Sequence, residues 1–414
     1  MLDYYVFTLD YSSLKRFFME HIKIKQLRLA LFLALLTALA PLANDMYLPA
    51  LPMLHSHFSI STSLVQLTLT MTTVGIAFGQ IVAGPISDYM GRRSPLLLGM
   101  IFFCLASLGC VYAENIWLFL LCRFLLGLSG ASGIVIAMAI ARDIYEGAEL
   151  TRFVAILIML NGLAPIISPI IGGQILYFGT WRDVFVLLFF IGIMLAISTF
   201  FFTETLPAQK RIKHIYSAFR KYPELLHDRY FFSHCLLQCF IFGAFFSYIA
   251  GSAFLFQNIY GVSPQTYSLI FGGIGLGLML MGSLAARLAG RVSDIKLLKY
   301  ATHISFLGSI LLLILFLADG SIFIIYPVLF VTIVPLSVIG ASSFSMALAK
   351  QDHNAGSASA FLGFSQLLLG GAIMPLVGIA GDDTPLPMTI LMITGYSLAI
   401  WCYYRRIAPE HRSD

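Results

Sequence analysis

Long apolar runs broken by short polar stretches dominate the chain, and they set the expected elements. Twelve runs approach or exceed membrane-spanning length: 27–51, 62–83, 95–113, 116–140, 151–177, 183–203, 231–256, 265–286, 298–317, 321–346, 355–379 and 385–404. A helix needs about 20 apolar residues to cross a bilayer. The two-residue alternation of a barrel strand, sustained over about ten residues, is missing. The expected fold class is an all-α membrane protein with twelve transmembrane helices. The longest polar connection, 204–230, is basic and divides the chain into two sets of six runs. Equal halves suggest an internal repeat, a common plan of secondary transporters. A faint repeat agrees: aligning Gly91-Arg92 with Gly290-Arg291 sets Gly84 over Ser283 and Asp88 over Arg287. The expected organisation is a basic segment 1–26, a six-helix bundle 27–203, a linker 204–230, a second six-helix bundle 231–404 and a tail 405–414.

Composition sharpens this. Hydrophobic residues make up 59% of the 414 and charged residues 11%, against about a quarter charged in soluble domains. Of the 25 basic residues, Arg182 alone falls in a loop on the second side, and Arg123 alone lies deep in a span. That asymmetry predicts both termini in the cytoplasm of a multi-pass membrane protein. The positive charge is thus topological and gives no reason to expect nucleic acid as a partner. The six cysteines sit in apolar runs without metal-type spacing and read as small core residues. The first 26 residues are too polar for a cleavable signal.

One stretch concentrates the candidate chemistry: Ala43-Asn44-Asp45-Met46-Tyr47-Leu48-Pro49-Ala50-Leu51-Pro52. Asp45 is the acidic residue that lies well inside an apolar run, where a carboxylate is costly and points to function. The surrounding prolines free carbonyls that need partners in protein or a wet cavity. Asp45 lies roughly 9 Å from the outer end of span one, and Arg123 roughly 10 Å from that of span four, at 1.5 Å per residue. Burial disfavours a charged carboxyl and a nearby guanidinium favours it, so a group under both influences can switch its proton. A proton carrier at Asp45 tuned by Arg123 and a fixed structural ion pair both fit this placement. In Gly84-Pro85-Ile86-Ser87-Asp88-Tyr89-Met90-Gly91-Arg92-Arg93, read as the loop after span two, the glycines allow a tight turn. Asp88 is free to accept from a helix N-terminus or to pair with an Arg such as Arg142. A gate between the halves and a short topogenic loop both fit. In span five, Ala164, Ser168 and Gly172 stand four apart and let another helix approach, while Pro165 and Pro169 bend the helix. Ordinary packing fits that pattern too.

Together these stretches resemble the drug:proton antiporters of the major facilitator superfamily. Gly84, Asp88, Gly91, Arg92 and Arg93 are similar to that superfamily's loop-two gating motif, with Tyr89 where a basic residue is usual and Ser94 a second departure. Leu121 to Gly130 is similar to the span-four motif, whose arginine, here Arg123, is tied to proton transfer. Pro165, Ser168, Pro169, Gly172 and Gly173 are similar to the antiporter motif, with Ser168 replacing a glycine. Asp45 to Pro52, Tyr248 to Ser252 with Gln257, Tyr260 to Gln265, and Ala355 to Ala360 with Gly363 narrow the resemblance to the Bcr/CflA (bicyclomycin and chloramphenicol resistance) group. The resemblance implies two pseudo-symmetric six-helix bundles around a central cavity and export of drugs against proton entry.

The expected protein is therefore a transporter and not an enzyme: the spans hold no cluster of His, Asp or Glu. Gly272-Gly273 and Gly275-x-Gly277 lack the Lys-Ser/Thr of a phosphate loop. No cofactor is expected, and the proton gradient is the driving force. Drug-like small molecules, protons and the bilayer are the expected partners of a monomer. Asn44, Asp45, Tyr47, Tyr248, Phe254, Gln257 and Gln366 are the expected substrate-binding residues, able to stack on or hydrogen-bond varied compounds. The rival within transport is a proton-coupled importer or exporter of a metabolite such as a siderophore or an amino acid derivative.

Overall fold

The computed structural model describes residues 24–214, 221–288, 290–351 and 355–410. Most of the expected 1–26 segment, part of the linker (215–220) and the end of the tail (411–414) lie outside the described residues.

Among the described residues, twelve helices are long and apolar enough to cross a membrane. Numbering these alone, they are α1 (Ile24–Asp45), α2 (Thr62–Met90), α3 (Arg93–Val111), α4 (Ile116–Ile144), α5 (Gly147–Phe178), α6 (Trp181–Phe200), α7 (Arg229–Phe254), α8 (Pro264–Leu288), α9 (Asp294–Leu317), α10 (Ile322–Leu348), α11 (Ala355–Val377) and α12 (Leu386–Cys402). Polar residues just ahead of the apolar runs start several of them. Ser61 caps α2, Asn115 Oδ1 accepts from Leu118 N at 2.9 Å, and Asp228 Oδ1 accepts from Tyr230 N at 2.9 Å. Each satisfies an orphan backbone donor of a first turn.

Three departures from the expected elements have clear causes. α2 continues through Gly84 and Pro85 to Met90, so most of the expected loop is helix. Only Gly91 leaves it, at φ +98°, a region that favours glycine. Span one breaks at Asp45, turns through Leu48–Ala50 and resumes as Leu51–Phe58, because Pro49 and Pro52 cannot donate within a helix. α10 is interrupted at Val334-Pro335 for the same reason.

The helices form two bundles with matching neighbours. In the first half α4 packs on α1, α2 and α3, α3 on α6, and α1 on α5. In the second, α10 packs on α7, α8 and α9, α9 on α12, and α7 on α11. The halves meet through α2 against α11 and α5 against α8, which are counterparts in the repeat. Gly290, at φ +78°, repeats the turn of Gly91. One end of the molecule collects Arg92, Arg93, Arg142, Arg211, Arg229, Arg291, Arg405 and Arg406, while Arg182 starts α6 at the other. We call these the basic face and the opposite face.

Close helix approach fixes the first half. A Cβ on Gly75 would sit 2.2 Å from Phe124 O, and one on Gly127 2.1 Å from Thr72 O. The backbones of α2 and α4 touch there, as small residues permit. Gly127→Ala should therefore destabilise the protein by about 1–3 kcal/mol through overpacking. Gly162→Ala, where a Cβ meets nothing within 4 Å, is the matched control. Equal melting temperatures for the two variants in detergent would contradict the contact.

Candidate functional site

The site grows from the end of α1. A helix that stops leaves its last carbonyls without partners, and α4 supplies one. Arg123 Nη1 donates to Ala43 O at 2.7 Å, and its Nε to Thr68 O of α2 at 3.4 Å. The guanidinium lies over the ring of Tyr47 at 4.4 Å and near that of Phe185 at 5.6 Å. Tyr47 is held in turn by a 2.6 Å hydroxyl contact with Thr68. Arg123 is wholly buried, and its Nη2 has no hydrogen-bond partner. A cation at a helix C-terminus and over aromatic faces is favourably placed.

Two residues beyond Ala43, the Asp45 carboxyl accepts from Asn44 Nδ2 at 3.1 Å and is 9% exposed. No ion pair joins it to Arg123; the three among the described residues lie elsewhere. The fixed pair left open by the sequence is not made in this conformation. Instead Arg123 grips the helix end that presents Asp45, and Asp45 looks the other way.

It looks into a cavity of about 480 Å³ between the halves. Its wall is mostly apolar. Phe242, Phe245, Phe246 and Ile249 project from α7, Phe271 and Ile274 from α8, and Pro165 from α5. The polar lining is sparse: Asn44, Asp45, Thr73, Gln80, Tyr248 and Ser337. Asn44 Oδ1 and Tyr248 OH are buried without a hydrogen-bond partner, an expense that a polar guest would relieve. Tyr248 stacks on Phe271 at 5.7 Å.

Four hydrogen bonds tie the halves together among the described residues, all on the opposite-face side of the cavity. Gln66 Nε2 donates to Ala250 O (3.3 Å), Thr70 Oγ1 to Gly371 O (2.7 Å), Gln257 Nε2 to Pro49 O (3.1 Å) and Gln265 Nε2 to Gly173 O (2.9 Å). Glycines let this seam close. A Cβ on Gly173 would sit 2.4 Å from Ser268 Oγ, and one on Gly378 2.5 Å from Ser63 N, while Gly172 packs within the first half, 1.8 Å from Met46 O by the same measure. Pro165, Ser168, Pro169, Gly172 and Gly173 thus run from the cavity wall to the seam, with Ser168 Oγ donating to Ala164 O at 2.5 Å.

The sequence-predicted lining is only partly assembled. Asn44, Asp45 and Tyr248 line the cavity. Tyr47 does not, because its ring is spent on Arg123 inside the first bundle. Phe254 is buried near the opposite face beside Thr62 and Gln66. Gln257 is a seam residue, and Gln366 is not among the lining residues, its neighbour Leu367 taking that place. Gln80, Thr73 and the phenylalanines of α7 were not anticipated. Their signal was legible: Phe242, Phe245, Phe246 and Ile249 keep the i, i+3, i+4, i+7 spacing of one helix face.

A model of the family described as Major Facilitator Superfamily matches residues 33–375. The chain belongs to the major facilitator superfamily. A Bacillus subtilis protein named "Uncharacterized MFS-type transporter YdgK" is 39% identical over 89% of this chain and 92% of its own length. A Haemophilus influenzae "Bicyclomycin resistance protein homolog" is 28% identical over 90% and 94%. A Pseudomonas aeruginosa "Chloramphenicol resistance protein" is 27% identical over 86% and 85%. Among solved structures, an inward-facing bacterial homologue of the human lysosomal transporter Spinster matches with a TM-score of 0.73 at 16% identity, covering 94% of this chain and 99% of that one. A D-xylose-proton symporter matches with a TM-score of 0.72 at 12% identity, covering 91% and 97%. These two share the fold. The superfamily consists of transporters, which agrees with the two-bundle architecture and with an expected role other than catalysis.

The stretch from Gly84 to Arg93 is built here into a network on the basic face. Arg92 Nε donates to Asp143 Oδ2 at 2.9 Å, and its Nη1 to Asp88 Oδ1 at 2.5 Å and Ser87 Oγ at 2.9 Å. Glu204, just past α6, accepts from the backbone N–H groups of Arg92 (2.8 Å), Arg93 (3.2 Å), Thr205 (3.0 Å) and Leu206 (3.0 Å). Arg93 Nη2 donates to Phe200 O. Ile212 N donates to Asp88 O at 3.0 Å, so the linker closes over the motif. Arg142 is not part of this. It is exposed and turns back to Met138 O, while its neighbour Asp143 takes the arginine. Gly84 stays within α2, with 3.6 Å to Val135 for an added Cβ. These contacts lie within the first half and its linker and do not bridge the halves in this conformation. Asp88 keeps a side chain 48% exposed. The second copy is bare, since Arg287 makes no ion pair among the described residues.

Two outcomes follow from this geometry. Burial raises the Glu204 pKa, but four backbone donors outweigh it and hold the carboxyl below its usual range. A depressed folded pKa stabilises above the unfolded value and is lost as pH falls through the folded one. Thermal stability of the wild type should therefore fall more steeply than that of Glu204→Gln as pH drops below about 4; parallel curves would remove Glu204 as the anchor. At the seam, each lost hydrogen bond is worth about 0.5–1.5 kcal/mol. Gln66→Ala with Gln257→Ala should lower the ratio of closed to open states at the opposite face roughly fivefold or more. Spin-label distances across that face report it, and an unchanged distribution would contradict the seam.

Proposed function

We propose that this transporter exports small lipophilic drugs or toxic compounds, of the bicyclomycin and chloramphenicol type named by its relatives, in exchange for protons. The observation that carries the proposal is Asp45: a carboxyl on the wall of an apolar, aromatic cavity, backed by a buried arginine that does not neutralise it by contact.

The basic face is taken as cytoplasmic because positive residues are retained inside. The conformation is then inward-facing, sealed outside by the glycine-lined seam. A lipophilic guest enters from the cytoplasm or inner leaflet and settles among the phenylalanines of α7. Its polar end meets Asn44, Tyr248 and Asp45, the groups left without full partners. Binding releases the Asp45 proton to the cytoplasm. The halves then rock about α2–α11 and α5–α8, breaking the seam and closing the basic side, where exposed Asp88 is available for new contacts. An external proton returns to Asp45 and displaces the guest. Moving one charge across 100 mV is worth about 2.3 kcal/mol, enough to support a useful gradient. Arg123 tunes the proton by its charge and fixes the helix end that carries it.

The test is transport in proteoliposomes alongside susceptibility profiling in a pump-deficient host. Acidifying the compartment facing the opposite face should drive drug into that compartment. Asp45→Asn should reduce coupled flux to background while drug still binds. Gradient-driven movement of substrate in the same direction as the proton would favour the metabolite symporter instead. Full coupling in Asp45→Asn would reject the carrier.

A further inference from the structure

The cations of the basic face are treated unequally. In the first half Arg92 meets Asp88 and Asp143, and in the linker Arg211 lies 3.9 Å from Glu204. Around the start of α7 and the end of α12 the pattern differs. Arg229, Arg405 and Arg406 border a shallow basin of about 440 Å³ with Trp401. Among the described side chains, none of these three guanidiniums reaches a carboxylate.

The backbone explains the convergence. α12 widens after Cys402 into a π-helical turn, Tyr403–Ile407, which holds Arg405 and Arg406. Trp401 and Arg405 stand four residues apart and so share a helix side. Arg229 is the first residue of α7, where the positive end of the helix disfavours a cation. Asp228 next to it is already engaged. One oxygen caps Tyr230 N and the other accepts from Gln351 Nε2 at 2.5 Å. The surroundings offer further positive charge, with Lys350 over the Tyr230 ring at 4.4 Å. Like charges that converge on one hollow repel unless an anion joins them. Trp401, 49% exposed at the end of a spanning helix, has the position of an interfacial anchor, with an apolar body toward lipid.

We propose that this basin binds the phosphodiester headgroup of an anionic phospholipid of the phosphatidylglycerol class. Guanidinium forks match phosphate oxygens in pairs, and basic pockets between spanning helices on the positive side are suited to such headgroups. Trp401 packs against the glycerol and upper acyl chain. Choline headgroups carry a cation that the same arginines repel. The inference is independent of what the central cavity transports.

Native mass spectrometry of the full-length, detergent-purified protein tests it, with dioleoylphosphatidylglycerol and dioleoylphosphatidylcholine as probes. The wild type should retain phosphatidylglycerol preferentially, and Arg405→Gln with Arg406→Gln should weaken that binding roughly thirtyfold. Arg291→Gln, on the same face outside the basin, should leave it unchanged. If the double variant does not fold, Arg229→Gln replaces it and should weaken binding roughly fivefold. Equal retention of both lipids by the wild type, or equal loss in Arg291→Gln, would overturn the proposal. Displacement of the lipid by millimolar inorganic phosphate would also overturn it, by assigning the basin to a soluble anion.

Discussion

A buried guanidinium organises the first half of this transporter. Arg123 reaches from α4 to carbonyls of α1 and α2 and carries the Tyr47 ring on its face. Placing a charge there is costly, and the cost is offset by contacts that all come from neighbouring helices. Those helices must therefore stay in register. The glycine contacts between α2 and α4 bring the backbones close enough for the reach, and the prolines after Asp45 end α1 where its carbonyl becomes available. Asp45 is presented to the cavity as a result of this arrangement.

Much of the fold was legible in the sequence because bilayer thickness imposes a length on each helix. All twelve spans appear, and the repeat read from Gly91 and Gly290 returns as two turns of the same backbone hand. Element ends were less legible. Hydropathy marks where a helix meets headgroups, not where it stops, so α2 outruns its apolar stretch by about two charged, Pro-containing turns. Breaks at proline were visible in principle, yet Pro85 and Pro41 sit inside helices while Pro335 interrupts one.

The candidate site was half legible. Asp45 and Arg123 stood out because charge in a span is rare, and both are buried here. Partners were harder. Tyr47 is two residues from cavity-lining Asp45 in sequence but on the other side of a helix break. Arg142 and Asp143 are adjacent, and only the helix face decides that the acid meets Arg92. Glu204 looked like the first residue of a linker. Its role comes from four backbone donors that no side-chain pattern announces.

The cavity is unevenly built. The first half contributes the carboxyl and the amides, and the second half contributes most of the aromatic wall and the Tyr248 hydroxyl. On the proposed function, the ion-handling parts and the cargo-facing parts belong to different bundles joined by the seam. Substitutions along α7 would then retune which molecules fit while the energy-coupling apparatus is inherited intact. On that reading, such modularity gives the transporter room to broaden its repertoire in small, viable steps.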